Sequence, residues 1–323
     1  MIDDFNASFL SDAKFLFLGE QEENMSAYLY STPDPNIEND PANGEVCYME
    51  LISQNLGYYL YKEEIQLINN VAKKIAAHVP KEANIIEFGP GTNIAFEKKT
   101  LPFLKAVEKF KSYIPVDVCE TYLHQTQKIL GQELPEIPVQ IIQDDFIKNV
   151  ELVQKFAKPV VFFKGSTITN LSISNCLKFF RKISQALQPD GILIVGVDAN
   201  QNESLLRKAY NDGKMAKLTL SILYFIKRDL PVNGFDPTAF NYEFNWVAET
   251  HCVEHNVRAT EEQNFVLDGT PINIKKDTKF HLLSSYKYPV DYFQNHAIEG
   301  GLKPIDCFID ENQRMVIHVL GVS

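Results

Sequence analysis

Between residues 84 and 197, short apolar runs alternate with amphipathic stretches, and the two periods predict a strand-helix alternation. The elements are strand 84–88, helix about 93–110, strand 112–117, helix about 120–131, strand 138–142, helix about 147–156, strand 159–163, helix about 172–187 and strand 191–197. Such alternation means a parallel sheet covered on both faces. Upstream, Ile65, Ile68, Val71 and Ile75 give Glu63–Ala77 a helical spacing that ends before Pro80, and this helix should pack on the sheet. Tyr48–Tyr61 is rich in aromatics, while residues 1–45 lack clean periodicity and contain a proline- and asparagine-rich loop, Ser31–Gly44. After Asp198 the alternation stops. Glu203–Tyr210 and Lys214–Arg228 read as helices, and Tyr242–Leu283 shows β-type alternation with a turn at Asp268-Gly269. The earlier rhythm resumes near Pro289 with a helix to about Glu299, a strand Leu302–Ile309, a polar turn at residues 310–313 and a last strand Met315–Val322. The block 199–287 therefore reads as an insertion.

The candidate chemistry starts where the first strand ends. Ile85, Ile86, Glu87 and Phe88 run into Gly89-Pro90-Gly91, a tight turn at which the backbone can come close to a ligand lying across the strand's C-terminal end. A dinucleotide fingerprint wants a third glycine three residues after Gly91, and Ile94 stands there. Glu87 also opposes a pyrophosphate, whereas an acid-Gly-x-Gly turn suits a ligand with cationic groups and no phosphate, such as S-adenosylmethionine (SAM). Asp117 ends the second strand, 26 residues beyond Gly91, placed to accept hydrogen bonds from ribose hydroxyls. Asp144-Asp145-Phe146 ends the third, offering a carboxylate for the adenine amino group and a ring to stack on it. Phe163–Leu171 closes the fourth with Gly165, Ser166 and further small polar side chains, where a methyl donor would meet its acceptor. Each acid alone is more readily an exposed loop residue; their recurrence at successive strand ends carries the reading.

Composition excludes several classes. With 323 residues, 45% hydrophobic and 23% charged, the chain has the profile of a globular protein of one large or two modest domains. A net charge of −11 argues against a nucleic-acid partner, which draws affinity from clustered Lys and Arg. Met1–Leu10 has no basic residue and no apolar run reaches membrane-spanning length, so a cytoplasmic protein without a membrane partner is expected. Cys47, Cys119, Cys176, Cys252 and Cys307 are widely spaced, without a CxxC pair, which points to neither a disulfide framework nor a zinc site. His251 and His255, with Glu249 and Glu254, supply no third ligand, and no metal is expected.

Several motifs together resemble the histidine-specific Nα-methyltransferases of ergothioneine biosynthesis, whose fungal relatives methylate a prenylated tryptophan. They are the segment 52–64, ISQNLGYYLYKEE (family pattern LPEYYPTRxE), 87–92, EFGPGT (ELGSGT), Asp117, Asp145-Phe146 (GDF), 163–170, FKGSTITN (FLGSTIGN), 209–212, AYND (AYDD), and Lys279-Phe280. The resemblance covers most of the chain. It implies a Rossmann-like class I SAM-dependent methyltransferase fold, a seven-stranded sheet with a C-terminal antiparallel hairpin, over 61–198 and 288–323. Residues 1–60 and 199–287 would form a substrate-binding lid domain. It carries SAM binding onto Glu87, Gly89, Gly91, Asp117, Asp145, Phe146, Gly165 and Ser166. On the acceptor side it implies that Asn170 holds the substrate amino group, Tyr210 the carboxylate, and Tyr58 or Tyr59 the pocket wall; Asn170 and Tyr59 are the expected catalytic pair. Other positions depart from the pattern. The segment matching the family's tyrosine falls within Asn39–Gly44 and has none, the glutamate and serine that grip the imidazole fall on Lys275 and Asp277, and a pocket methionine falls on His255.

A lysine in place of an acid removes the attraction for an imidazole. The expected function is therefore methylation of the amino group of a small amino acid or related amine by SAM, in a monomer. A true L-histidine Nα-methyltransferase, a catalytically silent SAM-binding protein and, more remotely, a dinucleotide-dependent oxidoreductase are the competing readings. Methyl transfer to nitrogen needs positioning of a neutral lone pair and exclusion of water more than a strong base.

Overall fold

The computed structural model describes residues 2–19, 25–31, 34, 36–187 and 189–322, the side chains of residues 2–4 excepted. Thr32, Pro33 and Pro35 of the expected proline-rich loop lie outside the described residues. In chain order the elements are α1 (Ile2–Leu18), α2 (Gly44–Gln54), α3 (Leu60–Ala76), β1 (Ala83–Phe88), α4 (Asn93–Ala95), α5 (Leu101–Ala106), β2 (Phe110–Asp117), α6 (Glu120–Glu133), β3 (Ile142–Gln143), β4 (Pro159–Phe163), α7 (Ile173–Ala186) and β5 (Ile192–Asp198). There follow α8 (Glu203–Tyr210), α9 (Gly213–Asp229), β6 (Val232–Asn233), β7 (Phe240–Val247), β8 (Cys252–Ala259), β9 (Gln263–Leu267), β10 (Thr270–Ile274), β11 (Lys279–Tyr286), α10 (Val290–Glu299), β12 (Leu302–Ile309) and β13 (Met315–Val322). The chain divides into two compact units, one of residues 1–59 and 201–286, the other of residues 60–200 and 287–323.

The second unit holds a seven-stranded sheet in the order β3-β2-β1-β4-β5-β13-β12. Parallel pairing joins β1 to β2 and β4, β4 to β5 and β2 to β3, and β13 alone runs antiparallel to its neighbours β5 and β12. This is the class I methyltransferase sheet. Strands β1, β4 and β5 are buried at every position, as strands with helices on both faces must be. Strand order reverses at β1 and β4, whose register (Ile85 beside Val160, Glu87 beside Phe162) brings their C-terminal ends together. That is where open α/β sheets bind ligands.

Three expected elements of this unit differ. The helix expected over 93–110 ends at Ala106, and it winds as a π-helix over Phe96–Thr100. The wider turn leaves Phe96, Lys99 and Thr100 all buried. The third strand is two residues long, with Val139 adding an isolated bridge to Tyr113, and the helix expected over 147–156 is a 3₁₀ stretch, Val150–Lys155. Gln140 and Gln143 interrupt the apolar run around the third strand, and the Asp145 side chain draws the Ile147 and Lys148 amides into a turn just ahead of Val150.

The first unit contains two three-stranded antiparallel sheets, β10-β9-β6 and β11-β8-β7. Asp268 and Gly269, both at positive φ (44° and 73°), make the two-residue turn between β9 and β10. Helix α1 was not legible in the sequence. It buries Phe9, Ala13, Leu16 and Phe17, with Phe9 stacked on Phe225 of α9 at 4.4 Å, but exposes Phe5, Phe15 and Leu18, which blurs its apolar face. Among the described residues no helix is long and apolar enough to cross a membrane.

Candidate functional site

The glycine turn after β1 has the shape its sequence demands, because Gly89 and Gly91 both take φ +69°, a region that side chains with a Cβ rarely enter. Thr92 then caps the following helix by accepting the Ala95 N–H at 3.3 Å. Asp117 stands beside the turn. Its Oδ1 accepts the Cys119 N–H at 2.9 Å, and its carboxylate also takes a hydrogen bond from the Gly91 backbone. Burial raises the Asp117 pKa, against the lowering effect of those amides and of Lys164. Phe146 lies parallel to Phe88, ring centres 5.0 Å apart, and edge-on to Phe163 at 5.4 Å, so it forms one side of the turn. Asp145 is engaged locally: its Oδ1 accepts the amides of Ile147 (3.0 Å) and Lys148 (3.2 Å). At the end of β4, Gly165 (φ +81°) and Ser166 (φ +53°) turn the chain into the 3₁₀ stretch Thr167–Asn170, which leaves Asn170 half-buried.

Glu87 does not lie open to a ligand. It is fully buried, and its carboxylate accepts the Thr100 hydroxyl at 2.6 Å and the Tyr113 hydroxyl and forms an ion pair with the Lys164 ammonium at 2.8 Å. The expectation that it meets a cationic ligand directly is corrected: it braces the turn from behind. Lys164 also donates to the carbonyls of Gly89 (3.0 Å) and Pro90 (2.9 Å). A second buried pair adjoins, with Lys99 Nζ 2.6 Å from Glu64 Oε2 while Glu64 Oε1 accepts the Gly165 N–H at 2.6 Å. Lys99 also lies 4.4 Å over the Tyr61 ring. Sequence reasoning missed Glu64, Lys99, Thr100, Tyr113 and Lys164 as parts of this centre. A signal existed, since FKGSTITN has a charge where the family pattern has leucine.

SAM fits these residues on three counts. The turn exposes backbone at two left-handed glycines, Asp117 is tied to that turn, and the Ser166 Oγ is buried without a hydrogen-bond partner, the kind of orphan that a bound group or water satisfies.

In the other unit, Tyr58 and Tyr210 meet edge to face at 5.6 Å, and Tyr210 meets His255 at 5.6 Å. Tyr59 is buried. Tyr242, unremarked in the sequence, joins them: its hydroxyl donates to the Tyr210 carbonyl at 2.8 Å and lies 2.9 Å from His255 Nδ1. A carbonyl only accepts, so the Tyr242 proton is committed there and His255 Nδ1 must be the donor in the second contact. Burial pushes the Tyr242 pKa well up.

Lys275 and Asp277 are a correction. Strand β10 ends at Ile274, and both residues sit exposed in the turn to β11, with Asp277 at φ +68° and the Thr278 N–H donating to the Lys275 carbonyl at 3.2 Å. They form no buried polar floor. Beyond them Lys279 is exposed and Phe280 packs on Phe17 and Phe240. A second lysine-aromatic pair follows, Lys287-Tyr288, whose lysine is buried 3.0 Å from Asp198. Leu283 stands opposite His255 in the β11-β8 register, with Phe244 opposite His255 on the other side. Directly opposed residues share a face, so this face carries Tyr242, Phe244 and Trp246 of β7, Val253, His255 and Val257 of β8, and Phe280, Leu283 and Ser285 of β11, without a carboxylate. Glu243 and Glu254 fall on the other face, where they pair with Arg258 (2.8 Å) and Asn245 (3.0 Å).

Comparison with known proteins places the chain. The N-alpha-methyltransferase for histidine of Mycolicibacterium smegmatis is 28% identical over 260 residues, which span 78% of this chain and 79% of that protein. The N-methyltransferase dtpB of Aspergillus flavus is 26% identical over 296 residues, 84% of this chain and 79% of that one. A SAM-dependent methyltransferase structure from Clostridium acetobutylicum aligns over 86% of this chain and 97% of its own, at 13% identity and a TM-score of 0.46. The model of the SAM-dependent histidine-specific methyltransferases matches residues 20–322, and to that family this chain belongs.

Proposed function

We propose that this chain methylates the amino group of a small amino acid or related amine whose side chain is apolar or neutral, not an imidazole. One observation carries the reading: the β7-β8-β11 face that bears His255 sets Leu283, not an acid, beside it. An imidazole without a carboxylate partner gains little over other rings of its size.

In this reading Gly89, Gly91, Asp117, Asp145, Phe146, Gly165 and Ser166 hold SAM, which when bound supplies an activated methyl group. Asp117 accepts from the ribose, and Asp145 and the ring of Phe146 take the adenine. Asn170 and Tyr59 hold the acceptor nitrogen neutral with its lone pair directed, and Tyr210 and Tyr58 hold the remainder of the amino acid. Residues 1–60 and 199–287 act as the substrate-binding part. A net charge of −11 suits a small-molecule partner and no nucleic acid, and we read the chain as a cytoplasmic monomer.

A silent SAM-binding protein is the second reading, favoured by Asn39–Gly44. Where the family has its tyrosine, this segment caps α2 through Asn43, whose side chain accepts the Val46 N–H at 3.1 Å, and Asp40 binds Arg228. Turnover decides between the two. Titration with SAM and with NAD, followed by steady-state kinetics of Asn170→Ala and Tyr59→Phe, tests the proposal. SAM binding with kcat reduced at least tenfold in Asn170→Ala supports it; SAM binding with no turnover on any amine establishes the silent protein; NAD binding alone refutes both.

A further inference from the structure

Lys164 is 5% exposed and occupies the position at which the family pattern has leucine. The fold surrounds its ammonium with three partners: the carbonyls of Gly89 and Pro90, to which it donates, and the carboxylate of Glu87, its ion-pair partner at 2.8 Å. Two of the three are the backbone of the glycine turn itself. A leucine makes none of these contacts. The adjacent residue is held as well, because the Gly165 amide donates to Glu64, which Lys99 neutralises. The peptide between residues 164 and 165 is thus tied on one side to the turn after β1 and on the other to α3. The π-helical stretch serves the same centre by directing Lys99 to Glu64 and Thr100 to Glu87 from consecutive positions. The ties are closed within the protein: two carboxylates, two ammoniums, and donors for each oxygen.

We propose that Lys164 is a positioning residue for the cofactor, tethering the glycine turn after β1 to the end of β4 so that SAM affinity depends on it. The proposal rests on the assignment of that turn to SAM. Lys164 touches no reacting atom. Its removal frees the Gly89 and Pro90 carbonyls and leaves Glu87 without its cation, while the groups that hold the acceptor stay in place.

The test combines SAM titration calorimetry, steady-state kinetics and circular dichroism on the full chain. Lys164→Leu is expected to raise the SAM dissociation constant and KM for SAM at least tenfold, with kcat at saturating SAM within about threefold of wild type. Lys164→Gln, which keeps a donor for one carbonyl, should fall between. In the double variant Lys164→Leu with Glu87→Gln the unpaired buried charge is gone but the carbonyls remain untied, so SAM binding should stay at least fivefold weaker than wild type. Recovery to wild-type affinity in the double variant would show that Lys164 is only a counter-ion and overturn the proposal. So would unchanged SAM affinity in the folded Lys164→Leu protein, or failure of both single variants to fold, which would make Lys164 a core residue. A wild type that binds no SAM is a separate result, overturning the cofactor assignment and this inference with it.

Discussion

Lys164 and Glu87 are held 2.8 Å apart, ammonium to carboxylate, under a turn whose two carbonyls the same ammonium binds. Both side chains are buried, so each depends on the other: removing one partner of such a pair leaves a desolvated charge, which costs far more than a surface pair is worth. The cofactor turn is therefore supported by charge as well as by its glycines.

Gly196 belongs to the same support. A Cβ built there lies 2.5 Å from Glu64 Oε1 and 3.7 Å from the Lys164 Cα, so β5 must be bare where the Glu64 carboxylate crosses it. Gly196→Ala should destabilise the fold by about 1–3 kcal/mol through overpacking of a charged group with nowhere to retreat. Urea unfolding read by circular dichroism checks this, and a variant as stable as wild type would show that Glu64 can move.

Asp117→Ala should weaken SAM binding by about 1–3 kcal/mol, since it removes an acceptor from the ribose and unties the Gly91 backbone from β2. Calorimetric titration measures it; an unchanged affinity would take Asp117 out of the site.

His318 predicts an acid sensitivity unrelated to the active site. Its ring is fully buried against Phe293, centres 4.6 Å apart, neither nitrogen has a hydrogen-bond partner, and burial pushes its pKa down to about 3. Unfolded, it takes up a proton near pH 6.5, so between these values the unfolded chain binds more protons. The stability that a neutral His318 allows is intact above about pH 6.5 and is lost as pH falls toward 3, at up to about 1.4 kcal/mol per pH unit. His318→Phe should flatten that slope. Unfolding free energies at pH 7 and pH 5 give the comparison, and a slope the same in both proteins would assign the acid sensitivity elsewhere.

The sheet was legible because β1, β4 and β5 are continuous apolar runs, the hairpin β12-β13 is bounded by a polar turn, and turns such as Asp268-Gly269 announce themselves. Helix α1 was not, because its apolar residues point both into the unit and out of it. The strand ends carrying Gly89, Asp117, Phe146 and Gly165 could be read from motif spacing. The side chains behind them could not: Lys99, Thr100 and Tyr113 converge on Glu64 and Glu87 only through the π-helical turn and the β1-β2 register, which no local pattern records. Lys275 and Asp277 were expected on one strand face, but β10 ends at Ile274 and Asp277 turns the chain at φ +68°, which β-type alternation alone does not record.

Leu283 makes the acceptor assignment testable in the reverse direction. Leu283→Glu places a carboxylate opposite His255. Activity on free histidine, as kcat/KM relative to wild type, should rise at least tenfold, about 1.4 kcal/mol of transition-state binding. No gain in a folded variant would mean that β11 does not read the acceptor side chain.

Incubation of the wild-type protein with labelled SAM and an equimolar panel of amino acids and amines, with products resolved by mass, tests the central claim most directly. The expected result is a labelled product carrying methyl on the amino nitrogen of an acceptor with an apolar or neutral side chain, and little product from histidine. Efficient trimethylation of histidine, in preference to every other acceptor in the panel, would contradict the account.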